Sequence, residues 1–218
     1  MIRFLLNNQL EELDDIAPNV SILDYLRLLR SRTGTKEGCA AGDCGACTVV
    51  IAELVDGALQ YRACNACITP VGRLHAKQLI TIEDLSKPHL HYQQQDDTAF
   101  LHPLQKLMVD CHASQCGFCT PGIVMSLFAW WQSLKQQSSK EQSLKQQSLK
   151  PRLLKQQALS QEAHLIHANF SENLTIETVL SGNLCRCTGY KPIKQAAELA
   201  TNSLEEDSFD QARPTVID

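Results

Sequence analysis

The sequence predicts the α+β fold class, with an N-terminal α+β domain followed by an all-α domain. Over residues 1–85 the apolar residues form short alternating runs typical of strands, whereas from about Leu101 they recur at helical spacing. Eight of the ten cysteines also fall into two sets of four, one in each predicted domain. The sets are Cys39, Cys44, Cys47 and Cys67, and Cys116, Cys119, Cys185 and Cys187. This arrangement predicts one four-thiolate metal site in each domain.

The composition fits an ordered chain and narrows its function. The 218 residues are 44% hydrophobic, which is enough to bury a core, and the formal net charge of -4 gives no basic excess for nucleic acid. No stretch is long and apolar enough for a signal peptide or a membrane span, so we expect a cytoplasmic protein that binds neither nucleic acid nor membrane. Because cytoplasmic thiols are kept reduced, the cysteines favour metal binding over disulfides.

Four strands and one helix are predicted in the first domain, residues 1–85. The strands cover residues 2–6, 10–13, 48–54 and 60–69, with turns at Asn7-Asn8 and Asp56-Gly57. The helix covers residues 22–30, and Ser21 with Asp24 is a plausible capping box at its start. Its apolar face contains Ile22, Leu26 and Leu29.

A loop over residues 34–46 leads into the third strand and contains the first two cysteines of the first set. Together with Cys47 they have the spacing C-x4-C-x2-C. With a distant fourth cysteine, this is the plant-type spacing of a 2Fe-2S cluster. The loop also contains Gly34, Gly38, Gly42 and Gly45, which let the backbone turn its N–H groups toward cluster sulfurs. We therefore favour an iron–sulfur cluster over zinc for the first set.

The second domain, residues 86–200, is predicted to contain helices arranged as two pairs. The first pair begins with a helix that has Leu104, Leu107, Met108 and Cys111 on one face. Its second helix has Thr120 as N-cap and begins at Pro121. The second pair covers residues 176–180, ending before Gly182, and a helix from about Pro192 that carries Ile193, Ala196, Ala197 and Leu199. Each pair contributes two cysteines at one end of a small bundle. Taken alone, these four thiolates suit zinc as well as iron–sulfur.

A low-complexity insertion interrupts this domain at about residues 132–165. The tetrapeptide LKQQ occurs at 134–137, 144–147 and 154–157, a period of ten residues. Leucines ten apart do not form a stripe on a helix, so the segment can be partly helical but has no apolar face with which to pack. The bias toward Ser, Gln and Lys favours a solvated insertion over a basic docking patch.

Four stretches of the chain resemble the iron–sulfur domains of the xanthine dehydrogenase and aldehyde oxidase family of molybdenum hydroxylases. They are TGTKEGCAAGDCGACTVV, NACI, CHASQCGFCTPGIVMS and SGNLCRCTGYKPI. The resemblance extends from the N-terminus to about Ala200 apart from the insertion, and is strongest to the small iron–sulfur subunit of bacterial members. It implies a β-grasp 2Fe-2S ferredoxin-like domain followed by a four-helix 2Fe-2S-binding domain.

The resemblance also implies a role for individual residues. The first cysteine set would hold a 2Fe-2S cluster nearer the flavin, and the second set a 2Fe-2S cluster nearer the molybdenum cofactor. Cys64 competes with Cys67 for the fourth position of the first set, but the sequence NAC favours Cys67. Gln115, beside Cys116, matches the glutamine whose side chain hydrogen-bonds the pterin of the molybdenum cofactor. Cys64 and Cys111 are then expected to be small buried apolar residues.

The function implied is the relay of single electrons from a molybdenum centre, through both clusters, to FAD and then NAD. The molybdenum cofactor is expected on a molybdenum-binding large subunit, and FAD on an FAD-binding domain or subunit. No catalytic residue is expected in this chain. The acidic tail, residues 201–218, is expected to begin a linker to a missing FAD domain. A free-standing ferredoxin, a structural zinc protein and a truncated remnant are the alternatives. The substrate, purine, aldehyde or other heteroaromatic compound, is left open.

Overall fold

The first domain is built on a mixed five-stranded sheet. The computed structural model describes residues 1–55, 57–86, 101–147 and 174–202. Its strands are β1 (Ile2–Leu6), β2 (Gln9–Leu13), β3 (Thr48–Val55), β4 (Ala58–Asn65) and β5 (Gln78–Ile80). Their order is β2-β1-β5-β3-β4, in which only the β1–β5 pair is parallel. The three-residue β5 was not predicted, and β4 ends at Asn65, before the predicted limit of residue 69.

A helical segment of the first domain packs on one face of this sheet. The segment α1 begins as an α-helix at Ile22–Asp24 and continues as a π-helical turn at Tyr25–Leu29. Ser21 caps it as predicted, because its hydroxyl accepts the Asp24 N–H at 3.0 Å. The expectation that Leu29 shares the buried face is wrong, since Leu29 is 59% exposed. The wider π turn, in which Arg30 N donates to Tyr25 O, shifts the angular position of the residues after it.

The sheet is covered on both faces. Phe4, Val49 and Leu79 lie in a core with α1 on one face. Val50 and Ile80, the neighbours of these last two residues, point to the other face and join the core of the second domain. Successive side chains of a strand point to opposite faces, so a strand covered on both sides loses the apolar–polar alternation.

The second domain is helical in its described part. Its helices are α2 (Pro103–Asp110), α3 (Thr120–Gln147), α4 (Ile176–Leu180) and α5 (Lys191–Asn202). Residues 123–132 of α3 are all buried because this helix lies between the sheet and the other helices. Trp131 Nε1 donates to Ala200 O at 3.1 Å and ties α3 to α5. The four-helix domain stays a prediction, because residues 148–173 are outside the described part.

The structure differs from the prediction at the boundary between α3 and the expected insertion. Helix α3 continues through residues 132–147, and Gln132, at the expected start of the solvated insertion, is only 3% exposed. Gln136, in the first LKQQ copy, donates to the Leu59 carbonyl of β4 at 2.6 Å. The expectation of a segment without packing contacts is therefore wrong for its first residues; its portion over 148–165 lies outside the described residues.

The C-terminal helix also differs from its prediction. It extends to Asn202, so the first two residues of the predicted tail are helical, while residues 203–218 lie outside the described residues. Ala200 is buried on its inner face, whereas Leu199, which lies on this helix as predicted, is 42% exposed. In the part of the chain that is described, no helix combines the length and apolar character that crossing a membrane requires.

Candidate metal centres

The first cysteine set lies in the loop before β3 and in the turn after β4. Three backbone N–H groups, of Ala41, Asp43 and Cys44, donate to Cys39 Sγ at 3.3–3.4 Å. These bonds, that of Ala41 foremost, lower the pKa of the Cys39 thiol to about 6. A metal ligand must be deprotonated, so the loop backbone favours the ligating form of Cys39.

The four thiols of this set form two adjacent pairs. Cys39 N donates to Cys44 Sγ at 3.4 Å, which brings the first two side chains together. The Cys47 and Cys67 thiols interact directly, and Cys44 is close enough to act on Cys47 electrostatically. Cys47 is only 2% exposed, and this burial raises the pKa of its thiol to about 12. The structure thus brings together all four residues of the predicted first set.

Cys64 lies apart from these pairs. It is on β4, opposite Val49, and its half-buried side chain packs against the core under α1. Burial raises the pKa of its thiol, and the neighbouring groups that act on it are Thr69 and Arg73. These surroundings favour Cys67 over Cys64 as the fourth member of the first set.

Replacing Cys64 by serine should therefore leave iron binding unchanged. The thiol and the hydroxyl are similar in size, and the nearby Thr69 offers the new hydroxyl a polar neighbour. We expect the Cys64→Ser variant to contain as much iron and acid-labile sulfide as the parent protein. A halved iron content would instead assign Cys64 to the first site.

The second cysteine set is also arranged as two pairs. Cys116 and Cys119 lie between α2 and α3, and Cys185 and Cys187 lie between α4 and α5. Cys187 Sγ is 3.6 Å from Cys116 Sγ, and the Cys119 thiol interacts with Cys185. Burial raises the pKa of Cys119 to about 12, whereas the Phe118 N–H lowers that of Cys116. The structure therefore brings the two cysteine pairs together, in the loops that join the helices of each pair.

The loop that carries Cys185 is held by Thr188 and Tyr190. Cys185 N donates to the Tyr190 hydroxyl at 2.7 Å, and this hydroxyl donates to Asn183 O at 2.7 Å. Tyr190 N donates to Thr188 Oγ1 at 3.2 Å, and the same oxygen lies 3.2 Å from Cys185 Sγ. Burial opposes ionisation of Cys185, yet the Thr188 hydroxyl helps to hold its pKa below the ordinary value.

The two sites meet at a close junction between the domains. Leu184 N donates to Cys44 O at 2.9 Å, so a residue beside a second-set cysteine is bonded to a first-set cysteine. Asn183, which is 2% exposed, donates to Gly45 O at 2.9 Å and accepts from Ser126 Oγ at 2.7 Å. Asn183 was not predicted as a site residue, because its only signal in the sequence is its position two residues before Cys185.

An Asn183→Leu substitution should destabilise this junction. Leucine is similar in size but cannot pair with Gly45 O or the Ser126 hydroxyl, and both bonds are buried. The unpaired groups should cost about 2–4 kcal/mol of unfolding free energy. Chemical denaturation followed by circular dichroism checks this, and an unchanged midpoint would contradict the junction's contribution to stability.

Four further residues lie near the second site or at the end of α2. Gln115 and Arg186 are exposed, each beside a cysteine of the second set. Cys111 is the C-cap of α2 and is half-buried against the helical core. His112 is exposed with a φ of 50° and follows α2, where its N–H donates to Val109 O at 2.9 Å. Its placement is that of a helix-terminating residue.

The paired arrangement fits a binuclear cluster. In a 2Fe-2S cluster with four cysteines, two thiolates bind each iron, and the sulfurs accept hydrogen bonds from the protein. Within the described ranges, no three histidine, cysteine or carboxylate side chains converge on a position for one metal ion. Each set contains two such pairs, one for each iron of a binuclear cluster. The pairs are Cys39–Cys44 and Cys47–Cys67 in the first set, and Cys116–Cys187 and Cys119–Cys185 in the second.

Comparison with known families identifies both domains. Residues 6–72 match the family described as the 2Fe-2S iron-sulfur cluster binding domain. Residues 81–150 and 153–198 match the family described as the 2Fe-2S binding domain. The chain therefore contains two 2Fe-2S domains, which supports one cluster in each.

Individual proteins resemble almost the whole chain. It is 36% identical to a xanthine dehydrogenase of Emericella nidulans over 205 residues, and 33% identical to aldehyde oxidase 1 of Rattus norvegicus over 197 residues. These matches cover 93% and 89% of this chain but only 12% of each relative. Among solved structures, a chain of quinoline 2-oxidoreductase from Pseudomonas putida 86 is similar, with a TM-score of 0.57 and 27% identity. That match covers 94% of this chain and 97% of the other.

Proposed function

The chain belongs to the 2Fe-2S binding domain family, in the form found in xanthine dehydrogenases and aldehyde oxidases, and from this premise we propose that it relays electrons between two redox partners. This membership confirms the resemblance drawn from the sequence motifs. The proposed route runs from a molybdenum cofactor, through the second and then the first cysteine set, to FAD. When bound, each 2Fe-2S cluster takes up and releases one electron at a time.

The main-chain bond between Leu184 N and Cys44 O carries this proposal. It joins the peptide preceding Cys185 to a residue of the other set, across a distance of 2.9 Å. A path of covalent bonds and this one hydrogen bond therefore connects Cys44 of the first set to Cys185 of the second. At this junction Asn183 and Gly45 are buried and hydrogen-bonded to each other. A buried, hydrogen-bonded junction suits electron relay, which needs the two sites at a constant distance.

The chain's own residues hold and tune the clusters. Cys39, Cys44, Cys47 and Cys67 would ligate the first, and Cys116, Cys119, Cys185 and Cys187 the second. Each set combines buried with exposed members, as Cys47 and Cys39 do in the first. The buried members shield the site from solvent, while the exposed edge allows close approach of a partner. Backbone N–H groups, like those around Cys39, stabilise negative charge on the ligand sulfurs.

The exposed edges suggest where the partners dock. Gln115 is exposed beside Cys116, a placement consistent with a hydrogen bond from its side chain to the pterin of a molybdenum cofactor. We therefore propose a molybdenum-binding subunit at the second site and an FAD-binding domain or subunit at the first. Relatives named for xanthine, aldehyde and quinoline share this fold, so the substrate would be set by the molybdenum partner.

The proposal is tested by electron paramagnetic resonance of the anaerobically purified, dithionite-reduced protein. Iron and acid-labile sulfide are measured on the same sample. We expect two distinct 2Fe-2S signals, with equal amounts of iron and sulfide, and reoxidation of both clusters by an added flavin acceptor. A single signal, or zinc in place of iron, would contradict the two-cluster relay.

A further inference from the structure

The Thr188 hydroxyl lies against a ligand of the second cluster. We propose that a hydrogen bond from Thr188 Oγ1 to Cys185 Sγ raises the reduction potential of this cluster relative to a site without the hydroxyl. The inference rests on the proposed function, because it takes Cys185 as an iron ligand. The two atoms are 3.2 Å apart, within the range of a bond to sulfur.

The direction of this hydrogen bond follows from its surroundings. A cysteine sulfur bound to iron carries no proton, so Cys185 Sγ accepts. Thr188 Oγ1 already accepts the Tyr190 N–H at 3.2 Å, which occupies one of its lone pairs and orients the hydroxyl. The hydroxyl proton is therefore free to point at the sulfur.

The location makes the hydroxyl effective. Cys185 is 9% exposed and belongs to the core of the second domain, where a low effective dielectric strengthens electrostatic interactions. Reduction adds one negative charge to the cluster and its ligands. A donor aimed at a ligand sulfur stabilises the more negative, reduced state and so raises the potential.

The Tyr190 hydroxyl adds selectivity to this arrangement. It accepts the Cys185 N–H at 2.7 Å and thereby holds that donor away from the sulfurs. The main-chain N–H groups of Cys187 and Thr188 also act on Cys185 Sγ, but a side-chain substitution leaves them in place. Removing the hydroxyl at position 188 thus removes one donor to Cys185 Sγ, together with the acceptor of the Tyr190 N–H.

The test compares Thr188→Val with Thr188→Ser in the full-length, cluster-loaded protein. Valine keeps the branched shape without the donor, and serine keeps the hydroxyl. Redox titrations followed by electron paramagnetic resonance give the midpoint potential of each cluster, and a Cys187→Ser variant identifies the signal of the second. We expect a lower potential for the second cluster in the valine variant, a parental value in the serine variant, and no change at the first cluster in either.

The outcomes separate this inference from the proposed function. A parental protein without two signals would contradict the proposed function. Two parental signals with the same second-cluster potential in Thr188→Val would overturn only the role of Thr188. If the valine variant loses its second cluster, Thr188→Ala provides the titration. If Thr188→Val and Thr188→Ala both lose this cluster while Thr188→Ser assembles it normally, the hydroxyl is required to assemble the site. That result would overturn the inference that it tunes the potential.

Discussion

The Cys39→Ser variant should lose the signal of the first cluster and retain that of the second. Cys39 is exposed, so serine removes almost no packing, and the variant reports ligation. The three backbone N–H groups that stabilise a thiolate at this position would face a weaker ligand. We expect the iron and sulfide contents to fall to about half of the parental values, because the four-cysteine ligation of one 2Fe-2S cluster is broken. Electron paramagnetic resonance with metal analysis checks this.

The exposed cysteine of the second set provides the matched control. Cys187 is also exposed and is paired with Cys116 at 3.6 Å. Cys187→Ser should give the complementary result, with loss of the second signal and retention of the first. Loss of both signals in either variant would mean that the two sites assemble as one unit. The core shared by Ile80 of the sheet and Phe128 of α3 would then be the physical link.

The strands and helices that could be predicted are those marked by local features of the sequence, such as a turn, a helix cap or a run of apolar residues. Strands β1 and β2 were identified because their alternation and the Asn7-Asn8 turn are local features, and Asn7 does adopt a positive φ of 55°. Strand β5 has only three residues, all buried, so it presents no alternation and is defined by its pairing with β1 and β3. The exposure of Leu29 depends on a π turn that periodicity does not encode.

The residues of the candidate sites also divide into those that could be predicted from the sequence and those that could not. The spacing of the cysteines indicated both sets, because cysteines that share a short loop are close in sequence, and the family resemblance favoured Cys67 over Cys64 and iron–sulfur for the second set. The residues that join the sets were not predicted, because their roles come from contacts between distant parts of the chain. Asn183, for example, bonds to Gly45, which lies 138 positions away. The role of the Thr188 hydroxyl depends instead on the local fold of one loop, which sets the distance from its oxygen to Cys185 Sγ.

A Gly122→Ala substitution should destabilise the protein although alanine favours helices. Gly122 lies in the first turn of α3, where alanine alone would add stability of up to about 1 kcal/mol. A Cβ at this position would, however, lie 2.1 Å from Gly45 O and 3.1 Å from the Ala46 backbone. These atoms belong to the first cluster loop and are backbone atoms, so they cannot move aside as a side chain does. We expect a net loss of about 1–3 kcal/mol, typical of overpacking.

The control for this effect is Gly182→Ala, at the same junction. A Cβ at Gly182 meets no atom within 4 Å, and its φ lies outside the left-handed region. Thermal unfolding of the two variants, followed by circular dichroism, should therefore separate them. Gly122→Ala should melt roughly 3–10 °C below the parental protein, and Gly182→Ala should melt close to it. Equal melting temperatures would contradict a close junction at Gly122. A fall for Gly122→Ala alone would locate the destabilisation where α3 contacts the first cluster loop, at Gly45 and Ala46.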